Sequence, residues 1–264
     1  MAFVHAPKTI DNDLVDNDHT PGFISAALFV ANAFLSMDLD FRALPGIYVG
    51  IVMGRHAGFL TAAAAAWRRS PSDGPHLVYV PERPFSTERF LDDVRAVRRQ
   101  HGRCVVAMSE GVASADGRPV VESLVGAALE RDAHGNVQLS TGDLGLAVQA
   151  ALAKTFPGVR ARVDTFGYLP RAFAATASDV DRREAFEVGA FAVSAAENGS
   201  CSVTLQNELG SIGLKPVPLA AVAGKTRLMP PDFLDPSENR VSDLGVGYLT
   251  RLLPPPPDIL SPFV

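Results

Sequence analysis

Residues 47–55 read IYVGIVMGR, residues 76–82 read HLVYVPE and residues 104–111 read CVVAMSEG. In each, a short apolar, largely β-branched run ends in a glycine or charged turn, the pattern of a fully buried strand and the loop beyond it. Helical stretches separate them: an alanine-rich one from Gly58 to Arg69, and an amphipathic one over Ser86–Gln100. Strands alternating with helices predict a mostly parallel sheet covered on both faces. Ligands of such sheets collect in loops at the carboxyl ends of the strands, which is where Arg55 and Glu110 stand.

Upstream, Phe3–His5 reads as the end of a short strand, followed by an acid-rich loop from Lys8 to His19. Thr20-Pro21 supplies a hydroxyl for an N-cap and a proline for the first helical position, so a helix is expected through Ser25–Met37. Downstream, Asp143–Thr155 and Ser178–Glu197 read as helices, and Arg160–Phe166 and Ser200–Gln206 as strands. Beyond Gly210 the chain becomes proline-rich and runs to Pro254–Pro257, a tail expected to wrap the surface.

Apolar residues make up 47% and charged residues 20% of the 264, enough for a full core and unlike a disordered chain. A net charge of −5 argues against nucleic acid or an anionic membrane as partner. Two cysteines, Cys104 and Cys201, exclude a disulfide framework and a four-cysteine zinc site; both sit in strand-like runs as expected buried thiols. MAFVHAPKT has neither the basic nor the apolar region of a signal peptide. The apolar stretch Gly58–Trp67, about ten residues, is too short to span a bilayer, so a cytoplasmic address is expected.

Pro7-Lys8-Thr9-Ile10-Asp11-Asn12-Asp13-Leu14 carries the densest chemistry. In extended backbone, Asp11 and Asp13 project to the same side. On the residues alone three readings stand: a solvated acidic turn, a carboxyl whose pKa its neighbour raises into a proton acceptor, or a pair sharing a divalent cation. Lys8 balances that charge or grips a phosphate.

PKTIDNDL followed by DHTPGF closely resembles the central motif of the phosphofructokinase family. Met53-Gly54-Arg55, Ser109-Glu110-Gly111 and Gly167-Tyr168-Leu169-Pro170-Arg171 match three further motifs of that family in the same order, so the resemblance covers nearly the whole chain. It implies transfer of a phosphoryl group to the C1 hydroxyl of fructose 6-phosphate, with Asp11 as general base, Thr9 on the reacting phosphate and Asp13 near a Mg2+ shared with the donor. Met53, Gly54 and Arg55 would line the sugar site, with Arg55 aimed at the transferring group. Glu110 would bind sugar hydroxyls, and Tyr168 and Arg171 the 6-phosphate. Arg162 matches an arginine that reaches into a neighbouring subunit's site, which implies a homo-oligomer. Glu82 falls in a recurring motif to which no chemical role is assigned.

Lys8 before Thr9, and Tyr168 where ATP-using bacterial members carry histidine, resemble the pyrophosphate-using branch; ATP is the alternative donor. The 264 residues contain no Gly-Gly-Asp, the family's donor-phosphate loop, which it places upstream of PKTIDND. A chain lacking its first portion is therefore expected, with an unpaired sheet edge and hence poor solubility or tight association. A non-catalytic sugar-phosphate-binding or assembly subunit is the reading from another class. Gly46 stands where ATP-using bacterial members have a second cross-subunit arginine. The expected fold is a two-lobe α/β sandwich with mostly parallel sheets and an incomplete first lobe. Residues 1–15 belong to the donor lobe, 16–171 to the acceptor lobe, and 172–264 return to the donor lobe and add the tail.

Overall fold

The computed structural model describes residues 1–120, 143–208 and 210–258. Its centre is a four-stranded, all-parallel sheet in the order β3-β4-β2-β5, formed by β2 (Ile47–Val52), β3 (Leu77–Tyr79), β4 (Cys104–Ser109) and β5 (Ala161–Thr165). All six residues of β2 and all six of β4 are buried, which is why both read as unbroken apolar runs. Alternate side chains feed two cores. Val49, Ile51, Val106 and Met108 pack with Phe90 and Val94 of α3 (Thr87–His101) and with Leu144, Val148 and Leu152 of α4 (Asp143–Thr155). Tyr48, Val52, Val105 and Ala107 pack with α1 (Phe23–Ala43) and with the alanines that follow α2 (Phe59–Ala62). Gly50 permits a close approach of α1 to the sheet, since a Cβ there would lie 2.6 Å from the ring of buried Phe34.

A second, three-stranded sheet has the order β1-β6-β7, from β1 (Val4–His5), β6 (Cys201–Glu208) and β7 (Ser211–Val217). β1 runs parallel to β6 and β7 antiparallel to it. The short α5 (Leu169–Ala172) leads from β5 towards α6 (Asp179–Ala196), which covers this sheet through Val188, joined by Val203 and Leu205. Ser86 and Ser178 cap α3 and α6 with their side chains, and Gly102 closes α3 in the left-handed region, so these helix limits follow directly from local chemistry.

Three local expectations are corrected. Thr20 and Pro21 do not start α1. The Thr20 hydroxyl donates to the Thr9 carbonyl (2.7 Å), and the N-cap is Gly22 at φ 104°. The alanine-rich helix ends at Ala62 and tightens into a 3-10 turn over Ala63–Ala65, because burial of all these small residues decides the backbone over their helix propensity. The proline-rich chain after Gly210 is not a surface wrap alone. It forms β7, whose edge position tolerates Pro216, the short α7 (Leu219–Val222), and α8 (Asp243–Leu252), whose Leu249 packs with Met229, Leu234 and Leu253 in the core.

Among the described residues one helix, α1, is long and apolar enough to cross a membrane, a feature the sequence reading passed over. It lies against β2, with Phe23, Val30, Phe34 and Phe41 buried in the core. Cys104 and Cys201 are both buried free thiols, as expected.

Candidate active site

β2 and β4 are parallel neighbours in register from Ile47 with Cys104 to Val52 with Ser109, so their carboxyl ends release two turns side by side. The turns interlock. The Ser109 hydroxyl donates to the Gly54 carbonyl and accepts from the Gly111 N–H, and the Glu110 N–H donates to the Val52 carbonyl (2.9 Å). Gly54 sits at φ 137°, and a Cβ on Gly111 would overlap the Arg55 carbonyl oxygen. Arg55 is half exposed, with its Nε 3.9 Å from the partly buried Glu110 carboxylate. Burial pushes the Glu110 carboxyl up, while the Gly54 N–H and Arg55 draw it back.

The acid-rich loop faces these turns. The Asp11 N–H donates to Thr9 Oγ1 (3.1 Å), and Asn12, fully buried, holds the left-handed backbone between the two aspartates at φ 61°. Asp11 Oδ1 is buried and has no hydrogen-bond partner among the described residues. The Asp11 carboxyl is pushed up to about 6, first by burial and then by the charges of Asp13 and Glu110, against the pull of His56 and Arg55. Those interactions bring Asp11, Asp13, Arg55 and Glu110 into one electrostatic neighbourhood. His56 belongs to it as well. His5 does not: its Nδ1 meets Ser202 Oγ (2.8 Å) and ties β1 to β6.

The remaining candidates lie further out. Lys8 is exposed and makes no ion pair among the described residues. Tyr168 and Arg171 leave the carboxyl end of β5, beside β2. Both are exposed, and the Arg171 guanidinium lies 5.8 Å over the Tyr168 ring. Arg162 is an exposed residue of edge strand β5 opposite Tyr48, well before the strand's carboxyl end. Gly46 packs so tightly on the Arg160 backbone that a side chain there would overlap its carbonyl, which leaves no room for an arginine.

No cluster of three or more histidine, cysteine or acidic residues fit to hold a metal occurs among the described residues. The pair of mutually repelling carboxylates at Asp11 and Asp13, one with an orphaned oxygen, fits a cation that takes its other ligands from a bound phosphate.

Sequence reasoning gave no sign of what holds the acid loop. Asn12 Nδ2 donates to the Tyr248 hydroxyl (2.7 Å), which donates in turn to the Asp18 carbonyl (2.8 Å). The Arg227 N–H donates to the Asp13 carbonyl (2.7 Å). Both residues come from the stretch read as tail.

The profile described as Phosphofructokinase matches residues 1–196. The chain belongs to the phosphofructokinase family. It is 51% identical over 254 residues to the Rhodospirillum rubrum protein named pyrophosphate--fructose 6-phosphate 1-phosphotransferase, covering 95% of this chain and 63% of that one. To the Xanthomonas campestris protein of the same name it is 36% identical over 260 residues, covering 95% and 60%. A solved pyrophosphate-dependent phosphofructokinase from Nitrosospira multiformis superposes with a TM-score of 0.79 at 28% identity, over 100% of this chain and 64% of that one. The chain thus has the phosphofructokinase α/β fold and spans roughly three fifths of the length of these relatives.

Proposed function

We propose that this phosphofructokinase-family chain transfers a phosphoryl group from pyrophosphate to the C1 hydroxyl of fructose 6-phosphate, giving fructose 1,6-bisphosphate. The observation that carries the reading is the Asp11 carboxyl: half-buried, its Oδ1 buried and without a donor among the described residues, held up to about 6 and facing the Arg55 and Glu110 turns. A base poised near neutral pH accepts the hydroxyl proton as the sugar oxygen bonds to phosphorus and the donor's bridging bond breaks. Arg55 neutralises charge on the transferring group, helped by Thr9, while Met53, Gly54 and Glu110 hold the sugar.

Tyr168 and Arg171 take the 6-phosphate, and Lys8 the donor. Mg2+, held by Asp13 and the donor's oxygens, would neutralise phosphate charge. Exposed Leu169 and Phe173 beside Tyr168 suit a homo-oligomer in which Arg162 serves a neighbouring copy's site. Residues 1–15 and 172–264 would form the donor lobe and 16–171 the acceptor lobe, in a cytoplasmic protein.

ATP is the alternative donor. The second reading is a subunit that binds sugar phosphate without turnover. An assay with fructose 6-phosphate and Mg2+, offering pyrophosphate and ATP separately, decides among them. Turnover with pyrophosphate, reduced by about 10²–10⁴ in Asp11→Asn at little-changed sugar affinity, is expected. Turnover with ATP alone overturns the donor assignment, and sugar binding without turnover supports the second reading.

A further inference from the structure

Glu82, Arg227 and Met229 take no part in the proposed chemistry, yet together they touch both loops that carry it. Glu82 Oε1 accepts from the N–H of Gly58 (2.8 Å), at the end of the Met53–Gly58 turn, and from the N–H of Met229 (2.9 Å). Two residues before Met229, the Arg227 N–H donates to the Asp13 carbonyl (2.7 Å), and its Nη1 donates to the Asp18 carbonyl (2.7 Å) and Asn12 Oδ1 (3.3 Å). The same guanidinium stacks 4.5 Å from the ring centre of Phe59, the residue after Gly58.

We propose that Arg227–Met229, anchored by Glu82, is a strut that fixes the separation of the Asp11 loop from the Met53–Gly58 turn, making Arg227 and Glu82 positioning residues of the transfer site. The strut meets one loop through the Arg227 backbone and guanidinium, and the other through a single carboxylate oxygen and a ring face. Neither loop is long enough in regular structure to hold its own place: residues 11–18 contain no helix or strand, and the turn precedes a four-residue helix.

Gly58 is built for this contact, since a Cβ there would lie 2.7 Å from Glu82 Oε2 and 2.5 Å from Val80. Glu82 Oε2 is itself buried without a hydrogen-bond partner among the described residues, so the side chain serves through Oε1 as an acceptor rather than through its charge. Misplacing a reacting group by about 1 Å costs on the order of 10²-fold in rate, so a strut between base and arginine controls turnover without touching substrate.

The proposal rests on the site reading above, and the test separates the two. Hydrogen exchange is followed by mass spectrometry on the full chain and its variants. Glu82→Ala is expected to speed exchange about tenfold in peptides covering 53–60 and, across the strut, in those covering 8–19; Arg227→Ala should do the same from the other end. Glu82→Gln keeps the acceptor oxygen and is expected to stay near wild type, and strands 47–52 and 104–109 should not change.

In turnover, Glu82→Ala should lower kcat about 10–100-fold with the sugar KM within about threefold, and Glu82→Gln should restore most of it. Should an alanine variant unfold, Arg227→Lys keeps the charge, loses the fork and the stacking, and is read for loosening of 53–60. Variants that loosen only their own loop, or a Glu82→Gln as damaged as Glu82→Ala, overturn the strut. A wild-type chain without turnover overturns the phosphotransfer reading instead, and the exchange data then decide the strut alone.

Discussion

The Asp181 carboxylate accepts from Ser25 twice, at its backbone N–H (2.6 Å) and its hydroxyl (2.5 Å), and its other oxygen accepts from the Gly22 N–H (2.8 Å). Asp181 lies in the first turn of α6, so one buried carboxylate serves the positive ends of two helices and joins the acid loop's exit to the second sheet's cover. Asp181→Ala leaves three donors without their acceptor and should cost about 2–4 kcal/mol. Asp181→Asn, which retains one acceptor, should cost less. Urea unfolding read at unchanged m-value checks both.

His19 is buried between two carboxylates, its Nδ1 2.9 Å from Asp18 and its Nε2 3.0 Å from Glu184, while Arg251 holds Asp18 from the far side. Burial lowers the imidazole pKa, but the bonds and charges of Asp18 and Glu184 overcome it and raise the group from 6.5 to about 9. The folded state therefore keeps the proton that the unfolded chain releases, and the resulting stability is complete below about pH 6.5 and lost as pH rises through about 9. The contribution is on the order of 3 kcal/mol. Denaturation midpoints from pH 6 to 10 should fall more steeply for wild type than for His19→Gln; parallel curves would remove His19 as the cause.

β2 and β4 were legible because each is buried on both faces and so reads as an unbroken apolar run. The helix starts at Ser86 and Ser178 were legible because a cap is a contact between near neighbours. Thr20-Pro21 has the same local chemistry and failed. The Thr20 hydroxyl is spent on Thr9, and the acceptor for α1 comes from Asp181, far along the chain. Asp11, Arg55 and Glu110, which the fold brings into one neighbourhood, could be singled out as candidates because their loops carry recognisable motifs. Tyr248 and Arg227 carry none, and only the return of the chain from the second sheet sets them against Asn12.

Asp38, on α1, is a buried acid answered from two sides. Arg103 donates through Nε (3.1 Å) and Nη2 (2.9 Å) to one oxygen, and Arg42 through Nε (3.0 Å) and Nη2 (2.9 Å) to the other. Arg103 is mostly buried, whereas Arg42 is largely solvated. Solvent replaces much of what a solvated partner supplies, so the two arginines are unequal. Asp38→Ala should cost about 3–5 kcal/mol by stranding a buried guanidinium, Arg103→Ala nearly as much, and Arg42→Ala less than about 1 kcal/mol. A double-mutant cycle of Asp38 with each arginine measures the difference, and equal couplings would show that burial does not set it.

Gly111 is the tightest point of the site, where the turn after β4 passes under the Arg55 carbonyl with no space for a Cβ. Because the obstacle is backbone, no rotamer change relieves it. Gly111→Ala must push the Met53–Gly54–Arg55 turn outward, breaking the Ser109 bridge to Gly54 and moving Arg55 away from Asp11. The expected result is a loss of about 1–3 kcal/mol of stability together with a drop in fructose 6-phosphate affinity. Gly189→Ala is the matched control. It lies on the exposed side of α6 with nothing within 4 Å of the added carbon, and should stabilise by about 0.5–1 kcal/mol through helix propensity alone, without touching sugar binding. Calorimetric titration with the sugar phosphate beside thermal unfolding separates the two effects. If Gly111→Ala bound the sugar as wild type does, the two turns would be independent, and the interlock of β2 and β4 would carry no part of the site.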